Sequence, residues 1–434
     1  MPLPERPGTW QLCPRCQREF SAALPVARCS DCGGLLDLKH RDPFERPAAL
    51  KDLWARRRRS DLPSDASGVW RFRELVHPGA ENGAVTQLEG NTPLAPRRPI
   101  ALWVGVDDLL LKHEGQNPTG SFKDRGMTVG VTQARRLSAQ AVACASTGNT
   151  SASLASYAAL AGIPALVLVP AGQVAAGKLA QALAYGAHTL LVRGDFDDCL
   201  KLAREASEKL SVYLLNSVNP FRIEGQKTIV LEILEQLHWE SPDWIVVPAG
   251  NLGNTAAFGK VLMEADRLGL INAVPRLAAV QASGANPFAR AFREGFASLT
   301  PVHADTLATA IKIGNPASFE RAADAIRKTN GVVTEVSDGE ILEAKAVVDA
   351  SGLGCEPASA AAVAGVRKLV AEGVVRRKDR VVAVLTGHIL KDPGLLLSYH
   401  QEAEPPPPRA NRPVEIEARL SEVERLLAAV RSAP

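Results

Sequence analysis

One lysine lies among small and polar residues in the stretch GQNPTGSFKDRG, residues 115–126. It is Lys123. An apolar pattern typical of a strand, LWVGVDDLLLKHE at 102–114, precedes the stretch, and a helix-like pattern, MTVGVTQARRL, follows it. The positive end of a helix dipole disfavours a cation in the first turn. The same potential lowers the pKa of a lysine and favours the neutral amine, which is the form that acts as a nucleophile or base. We therefore predict chemistry at Lys123; the alternative is a surface ion pair with Asp124.

Four cysteines near the N-terminus are spaced as C-x2-C, twelve residues, C-x2-C. They are Cys13, Cys16, Cys29 and Cys32. Two such pairs can present four thiolates for the tetrahedral coordination of one zinc ion. Because no neighbouring residue suggests an open coordination position, the spacing predicts a structural zinc ribbon. The alternative is a metal-free, reduced loop.

Three turns rich in glycine and asparagine follow predicted strands. They are ASTGNTS at 145–151, PAGNLGNT at 248–255 and LTGHILKDP at 385–393. Exposed backbone N–H groups in such turns can bind an anion at little steric cost. One turn of this kind is weak evidence. Three of them together with Lys123 predict a site for an anionic ligand.

The composition limits the classes of function. The chain has 434 residues, 46% of them hydrophobic, and a net charge of +3. This length allows a large core in two lobes with an appendage. The small net charge argues against a nucleic-acid partner, and no apolar run approaches the roughly 20 residues that span a bilayer. The first residues, MPLPERPGTW, lack the apolar core of a signal peptide, so we expect a cytoplasmic protein.

The middle of the chain alternates between short apolar stretches and helix-like stretches. This alternation is typical of parallel sheets connected by right-handed crossovers, which predicts an α/β fold. Such sheets bind ligands at the carboxyl ends of their strands, where the polar turns lie. The predicted strands include 141–147, 164–170, 188–194, 243–249, 275–282 and 380–387.

The same patterns divide the chain into four regions. A two-lobed domain is predicted from 93 to 395, with a smaller lobe at roughly 128–225. A zinc ribbon at 1–40 and a connecting segment at 41–92 precede it. A proline-rich linker and an amphipathic helix are predicted for 396–434.

The lysine motif, NPTGSFKDRGM, resembles that of the fold-type II pyridoxal-phosphate enzymes, and of the threonine synthases within that family. The similarity spans about 88–395, in the order expected for the family, and some members have a similar four-cysteine ribbon. Ile389, where glycine is more usual, is the clearest departure. The resemblance implies two parallel-sheet α/β lobes of the tryptophan synthase β-like architecture. The other segments that carry it are LEGNTPL, ASTGNTSAS, NSVNPFRIEGQKT, PAGNLGN, ATAIKIGNPASF and LTGHILKDP.

The resemblance implies pyridoxal 5'-phosphate as the cofactor. Lys123 would bind its aldehyde and later transfer protons as a free amine. Thr386 would face the ring nitrogen, and Asn149 would hydrogen-bond to the phenolic oxygen. The residues expected to bind the cofactor phosphate are Gly250, Asn251, Leu252, Gly253 and Asn254.

The resemblance also implies a substrate. The expected activity converts O-phospho-L-homoserine and water to L-threonine and phosphate, by γ-elimination and β-addition, in a homodimer. Alternatives are a threonine or serine dehydratase, a lyase for another phosphorylated amino acid, or, distantly, a zinc-ribbon binding module. The substrate carboxylate would bind Ser146, Thr147, Gly148 and Asn149, and its phosphate would bind Thr150, Asn216, Ser217, Arg222 and Asn251.

Overall fold

The structure, a computed structural model, describes residues 8–43, 45–172 and 176–432. The first of these segments forms a small antiparallel sheet with the order β2-β1-β3. Trp10 pairs with Ser21 across one side of the central strand, and Thr9 pairs with His40 across the other. The strands are β1 Thr9–Leu12, β2 Glu19–Ser21 and β3 Asp37–His40.

The largest sheet has six strands in the order β12-β11-β10-β13-β5-β4. Neighbouring strands are parallel except for β4, which runs antiparallel to β5 at one edge. Its central strands are almost entirely buried, as expected for a parallel sheet covered on both faces. The strands are β4 Leu94–Pro96, β5 Asp108–His113, β10 Trp244–Pro248, β11 Arg276–Ala282, β12 Val332–Val336 and β13 Arg380–Leu385.

The second parallel sheet has four strands in the order β8-β7-β6-β9. It is formed by one continuous stretch of chain that is inserted between β5 and β10 of the larger sheet. Its strands are β6 Ala141–Ala145, β7 Ala165–Pro170, β8 His188–Val192 and β9 Val212–Leu214.

Helices connect the strands of both sheets. The α-helices of the described residues are α1 Pro47–Arg57, α2 Pro63–Ala66, α3 Arg73–Val76, α4 Arg98–Val104, α5 Lys123–Arg136, α6 Asn149–Ala161, α7 Ala176–Ala184, α8 Phe196–Lys209, α9 Pro220–Gln236, α10 Gly253–Arg267, α11 Pro287–Arg293, α12 Phe319–Lys328, α13 Asp338–Ala350, α14 Pro357–Ala371, α15 Pro393–Leu397 and α16 Leu420–Ser432. None of the helices that the structure describes is long and apolar enough to cross a bilayer.

Helix α9 is buried from Pro220 to Leu234 and packs against α5 and α10. Two glycines permit the close approach of α5 and α9. A Cβ on Gly126 would lie 2.9 Å from the carbonyl oxygen of Arg222, and one on Gly225 would overlap the carbonyl of Arg125. This contact brings the first turn of α5 next to the first turn of α9.

Buried ion pairs reinforce this packing. Arg125 of α5 donates to Glu114 from Nε, at 2.7 Å, and to Glu232 of α9 from Nη2, at 2.6 Å. Lys112 of β5 also donates to Glu232, at 2.8 Å, and all four side chains are fully buried. Removing one partner from such a network leaves an uncompensated charge, which typically costs about 3–5 kcal/mol.

The predicted α/β class with parallel sheets is confirmed, and each of the six stretches predicted as strands between 141 and 387 contains a strand. The stretch 102–114 is only partly a strand, because Leu102–Val104 completes α4. Strands β9 and β12 were not predicted from the sequence.

The chain forms two compact units, Met1–Lys391 and Asp392–Pro434, whereas the prediction divided it after residue 395. In the second unit, α16 begins at Leu420.

Candidate active site

Helix α5 begins at Lys123, immediately after the glycine-containing turn that the sequence singled out. The Nζ atom lies 4.2 Å from the centre of the Phe122 ring. No residue in the described part of the chain forms an ion pair or hydrogen bond with this atom. Burial, and after it the charge of Arg222, lower the pKa of Lys123 to about 7, with the charge of Glu356 opposing them. The amine is therefore largely neutral above about pH 7.

Asp124 does not form the surface ion pair that was considered as an alternative. Its carboxylate is buried and accepts hydrogen bonds from the backbone N–H of Thr119, at 2.7 Å, and from the hydroxyl groups of Thr119 and Ser153, both at 2.6 Å. Burial raises the pKa of Asp124 to about 6. Asp124 therefore fixes the turn that carries Lys123.

The turn after β13 lies against the Lys123 turn. The Phe122 N–H donates to the carbonyl of Thr386 at 3.0 Å, and the His388 N–H donates to the carbonyl of Gly120 at 2.9 Å. These two backbone hydrogen bonds place the buried Thr386 beside the start of α5. The structure thus brings together two motifs that are separated by more than 260 residues.

Glu356, at the N-terminus of α14, is a site residue that sequence reasoning missed. Its carboxylate accepts from Asn149 Nδ2 at 2.8 Å and from Thr386 Oγ1 at 2.9 Å. Ser359 Oγ lies 3.0 Å from the same Thr386 hydroxyl. Glu356 thereby connects the two side chains that were expected to contact the cofactor ring. Its sequence context, GCEPASA, carries no charge partner or spacing that would have identified it.

The turn at 250–254 leads directly into α10. Leu252 has a left-handed backbone with φ of 65°, which is uncommon outside glycine. The next residues begin the helix, so their backbone N–H groups are available to an anion. Asn254 Oδ1 and Thr255 Oγ1 are buried and have no hydrogen-bond partner among the described residues. A Cβ on Gly250 would lie 3.0 Å from Ile311 Cα, so the turn has little room for a side chain there.

The turn at 146–150 joins β6 to α6 and is half-buried. Asn216 holds the strand end in front of it, since its amide both accepts from the Ala145 N–H and donates to the Ala145 carbonyl, each at 3.0 Å. A Cβ on Gly148 would meet no atom within 4 Å, so open space lies beside the turn. The amide of Asn216 is thus engaged in positioning this turn, and its direct contact with substrate stays a prediction.

Arg222 is a buried cation without a counter-ion. Its Nη1 donates to the carbonyl of Leu215 at 2.9 Å, whereas Nε and Nη2 have no partner among the described residues. Burial lowers the pKa of Arg222 to about 10, so the side chain keeps its charge at neutral pH. The nearby carboxylate of Glu224 does not pair with Arg222, because it pairs with Lys227 and Lys260. A buried charge of this kind is stabilised by a bound anion.

A cavity of about 1600 Å³ opens onto the expected substrate side of the site. Asn216, Ser217 and Asn251 line it, together with Ser318, whose buried hydroxyl has no partner among the described residues. Lys123 and Thr386 do not line this cavity. The cavity therefore reaches three of the five predicted phosphate-binding residues, whereas Arg222, Thr150 and the lysine lie outside its lining.

The four cysteines of the N-terminal sheet form one cluster, with all four Sγ atoms within 4.8 Å of one another. Cys13 and Cys32 lie 3.4 Å apart, and Cys16 and Cys29 lie 3.5 Å apart. Tetrahedral Zn–S bonds of about 2.3 Å imply S–S separations of about 3.8 Å. The donor set and its spacing therefore fit a zinc ion.

Comparison with known proteins identifies relatives over most of the chain. Residues 85–387 match the family described as pyridoxal-phosphate dependent enzyme. The chain is 47% identical over 392 residues to a threonine synthase of Methanosarcina acetivorans, covering 90% of this chain and 94% of that protein. It is 42% identical over 419 residues to a threonine synthase of Methanocaldococcus jannaschii, covering 96% and 99% of the two chains.

The fold is similar to that of solved structures. The crystal structure of threonine synthase from Escherichia coli superposes with a TM-score of 0.70 at 19% identity, over 97% of this chain and 100% of that one. A serine racemase of maize superposes with a TM-score of 0.62 at 22% identity, over 76% of this chain and 95% of that one. At these identities the superpositions support the fold alone.

Proposed function

The chain belongs to the pyridoxal-phosphate-dependent enzymes and, within them, to the threonine synthase family, and we propose that it converts O-phospho-L-homoserine and water to L-threonine and phosphate. This family membership rests on relatives that are 40–47% identical to the chain. The named alternatives, dehydration of serine or threonine, do not require a site for a substrate phosphate.

One observation carries the choice of a phosphorylated substrate. Arg222 is fully buried and charged, and it keeps two unpartnered donors, Nε and Nη2. Charge-assisted hydrogen bonds contribute roughly 1.5–3 kcal/mol each. A substrate with a dianionic phosphate at this position would therefore bind more tightly than one with a hydroxyl group there. Ser217 and Asn251 line the adjacent cavity and can supply further donors.

The residues present fit pyridoxal 5'-phosphate. The N-terminus of α10 offers free backbone N–H groups and the unpartnered hydroxyl of Thr255 for a phosphate group. Gly250, Asn251, Leu252, Gly253 and Asn254 would hold that phosphate, while Asn149 and Thr386 would orient the ring. When bound, this cofactor supplies an aldehyde that links amines and a ring that accepts electrons from the substrate.

Lys123 does the proton chemistry in this proposal. With a pKa of about 7, a large fraction of its amine is neutral near pH 7, so it can bind the cofactor and can accept a proton from the substrate α carbon. The N–H groups of Ser146, Thr147, Gly148 and Asn149 would bind the substrate carboxylate at the start of α6, with Thr150 near the phosphate. Arg222 would hold the phosphate as it leaves the γ carbon, before water adds at the β carbon.

We further propose one structural zinc ion in the ribbon, bound by Cys13, Cys16, Cys29 and Cys32. The coordination sphere is complete with four thiolates, so the metal would have no open position for chemistry. A cytoplasmic homodimer is the state that we propose for the enzyme, on its similarity to the threonine synthases.

The test is an assay of the purified enzyme with O-phospho-L-homoserine, measuring threonine and inorganic phosphate together. We expect equal amounts of both products and no ammonia from serine or threonine.

Arg222→Gln should lower kcat/KM for the phosphorylated substrate by roughly 100-fold, which corresponds to the loss of about 3 kcal/mol of charge-assisted hydrogen bonding. Exposed Arg290, in α11, gives the control Arg290→Gln. Turnover by Arg222→Gln within twofold of wild type would show that the phosphate site is misassigned.

A further inference from the structure

The cysteine ribbon forms one side of the cavity of about 1600 Å³ described above. Arg15, Arg28 and Lys39 come from the ribbon, Lys201 and Arg204 come from α8, and the opposite side is formed by α10 and α12. We call this cavity the vestibule. Because Asn216, Ser217 and Asn251 also line it, the vestibule extends from the ribbon to three residues of the proposed substrate phosphate site.

The lining of the vestibule has a local excess of positive charge. Eleven lysine and arginine residues line it, against six aspartate and glutamate residues. The whole chain has a net charge of only +3, so the excess is local. A cavity lined by charges of one sign attracts ligands of the opposite sign and raises their rate of association.

Some of these cations are neutralised by partners. Arg15 pairs with Glu320, and Arg321 pairs with Asp37 at 2.9 Å, so both pairs join the ribbon to α12. These contacts fix the ribbon as one side of the vestibule. The carbonyl of Leu38, in β3, accepts from Lys260 of α10 at 2.6 Å and adds a third connection.

Four other cations, which are Arg28, Lys39, Lys201 and Arg204, have no acidic partner among the residues that the structure describes. Lys201 and Arg204 make neither a hydrogen bond nor an ion pair there, and Arg28 donates only to the carbonyl of Gly33, at 2.8 Å. Arg28, Lys201 and Arg204 nevertheless line the same cavity, with Arg28 on the ribbon and the other two on α8. Like charges held together across the ribbon and α8 are relieved by an anion between them.

From this arrangement we propose that the vestibule is a first binding site for the phosphate group of the entering substrate. Arg28 of the ribbon and Arg204 of α8, with Lys201, would bind the phosphate dianion before it passes to Arg222. The ribbon would then serve substrate capture in addition to holding a metal. This inference rests on the proposed function, because it takes a phosphorylated amino acid as the ligand.

The first test is kinetic and uses the holoenzyme with Arg28→Gln and Arg204→Gln combined. At low ionic strength we expect kcat/KM for O-phospho-L-homoserine to fall about tenfold, with kcat within twofold of wild type, since the lost charges act on capture. The difference should shrink as salt is raised, because the Debye length falls from about 30 Å at 0.01 M to about 8 Å at 0.15 M. Arg290→Gln with Arg367→Gln removes the same charge outside the vestibule and should leave kcat/KM within twofold of wild type.

The second test does not depend on turnover and measures binding of inorganic phosphate to the holoenzyme by phosphorus NMR. We expect the Arg28→Gln, Arg204→Gln variant to bind phosphate at least fivefold more weakly than the Arg290→Gln, Arg367→Gln control. If the enzyme fails to turn over O-phospho-L-homoserine while this difference is present, the proposed function is wrong and the anion site stands. Equal phosphate binding by the two double variants would overturn the vestibule site, whatever the activity.

Discussion

Three ionisable side chains lie together at the residue scale of the candidate site. Burial and the charge of Arg222 lower the pKa of Lys123 to about 7, and Glu356 opposes that effect. Arg222 keeps its own charge because a guanidinium remains protonated even when burial lowers its pKa to about 10. Arg222 can therefore have two roles. It can bind an anion, and its charge also lowers the pKa of the Lys123 amine.

The pKa of Lys123 can be tested without turnover. The rate at which the apoprotein takes up pyridoxal 5'-phosphate, followed by visible absorbance, should rise as the pH increases from 6 to 8 and then level off. This sign follows because the amine loses its proton above a pKa of about 7. Arg222→Gln removes a positive charge and should move the midpoint to higher pH. A midpoint near 10 in the wild-type protein would contradict this account.

Glu356 acts as a positioning residue in this site, since it holds Asn149 and Thr386. Glu356→Gln should lower the midpoint of cofactor uptake, because the charge that raises the pKa of Lys123 is gone. We also expect about tenfold faster loss of cofactor on dialysis, as removal of supporting hydrogen-bond partners typically costs 10–100-fold. Glu343→Gln, on the exposed face of α13, should change neither quantity. An unchanged midpoint in Glu356→Gln would show that this carboxylate serves packing alone.

The lysine, the glycine-rich turns and Arg222 could be identified from the sequence because each lies in a local motif. Glu356 could not, since its role arises from contacts with residues about 30 and 207 positions away. The hydrogen bonds between Asn216 and the backbone of Ala145 could not be predicted either, because an asparagine after a strand is equally typical of a ligand-binding residue and of a turn. The side-chain partners of a polar residue depend on tertiary packing, which local pattern does not specify.

At the scale of the elements, the position of the site depends on α5 and α9. The buried pairs of Arg125 with Glu114 and Glu232 fix the start of α5 against α9. They therefore also fix the position of Lys123 relative to Arg222. Periodicity predicted the existence of the strands because fully apolar runs of this length bounded by turns are distinctive. It did not predict β9, which has three residues, or the end of α4 at Val104, where an apolar run continues across a helix boundary.

The ribbon gives a prediction at this scale. The purified protein should contain one zinc ion per chain by elemental analysis, and Cys29→Ser should lose it. Because a structural zinc site contributes folding energy to its own segment, the variant should lose the ribbon contacts and unfold at a lower temperature. Cys199→Ser, in the buried face of α8, changes a cysteine outside the cluster and should keep the metal. Full zinc content in Cys29→Ser would contradict the assignment of the ligands.

For the whole molecule, the site is assembled from both parallel sheets. The large sheet supplies the turns at 250–254 and 386–388, and the small sheet supplies the turn at 146–150. The sequence predicted these turns one by one. The sequence also predicted one shared site for the turns, but it did not specify the strand order that brings them together, in which β13 pairs with β5 across a long interval of sequence.

Cofactor binding should therefore slow hydrogen exchange of backbone amides in turns that belong to both sheets. Hydrogen exchange measured by mass spectrometry should slow in all three turns when pyridoxal 5'-phosphate is added to the apoprotein, since a ligand that binds only the folded site suppresses local opening. The edge strand β8, which is largely exposed, should exchange at the same rate in both states. Protection limited to one sheet would be inconsistent with a shared site.

The order of strands in the large sheet has a consequence for synthesis on the ribosome. Strand β13, which is made after all the other strands, occupies the middle of the sheet between β10 and β5. Until it emerges, both neighbours have unpaired edges, and such edges promote aggregation. A truncated translation product that ends before residue 380 would thus be a substrate for chaperones and proteases, even though its small sheet is already complete.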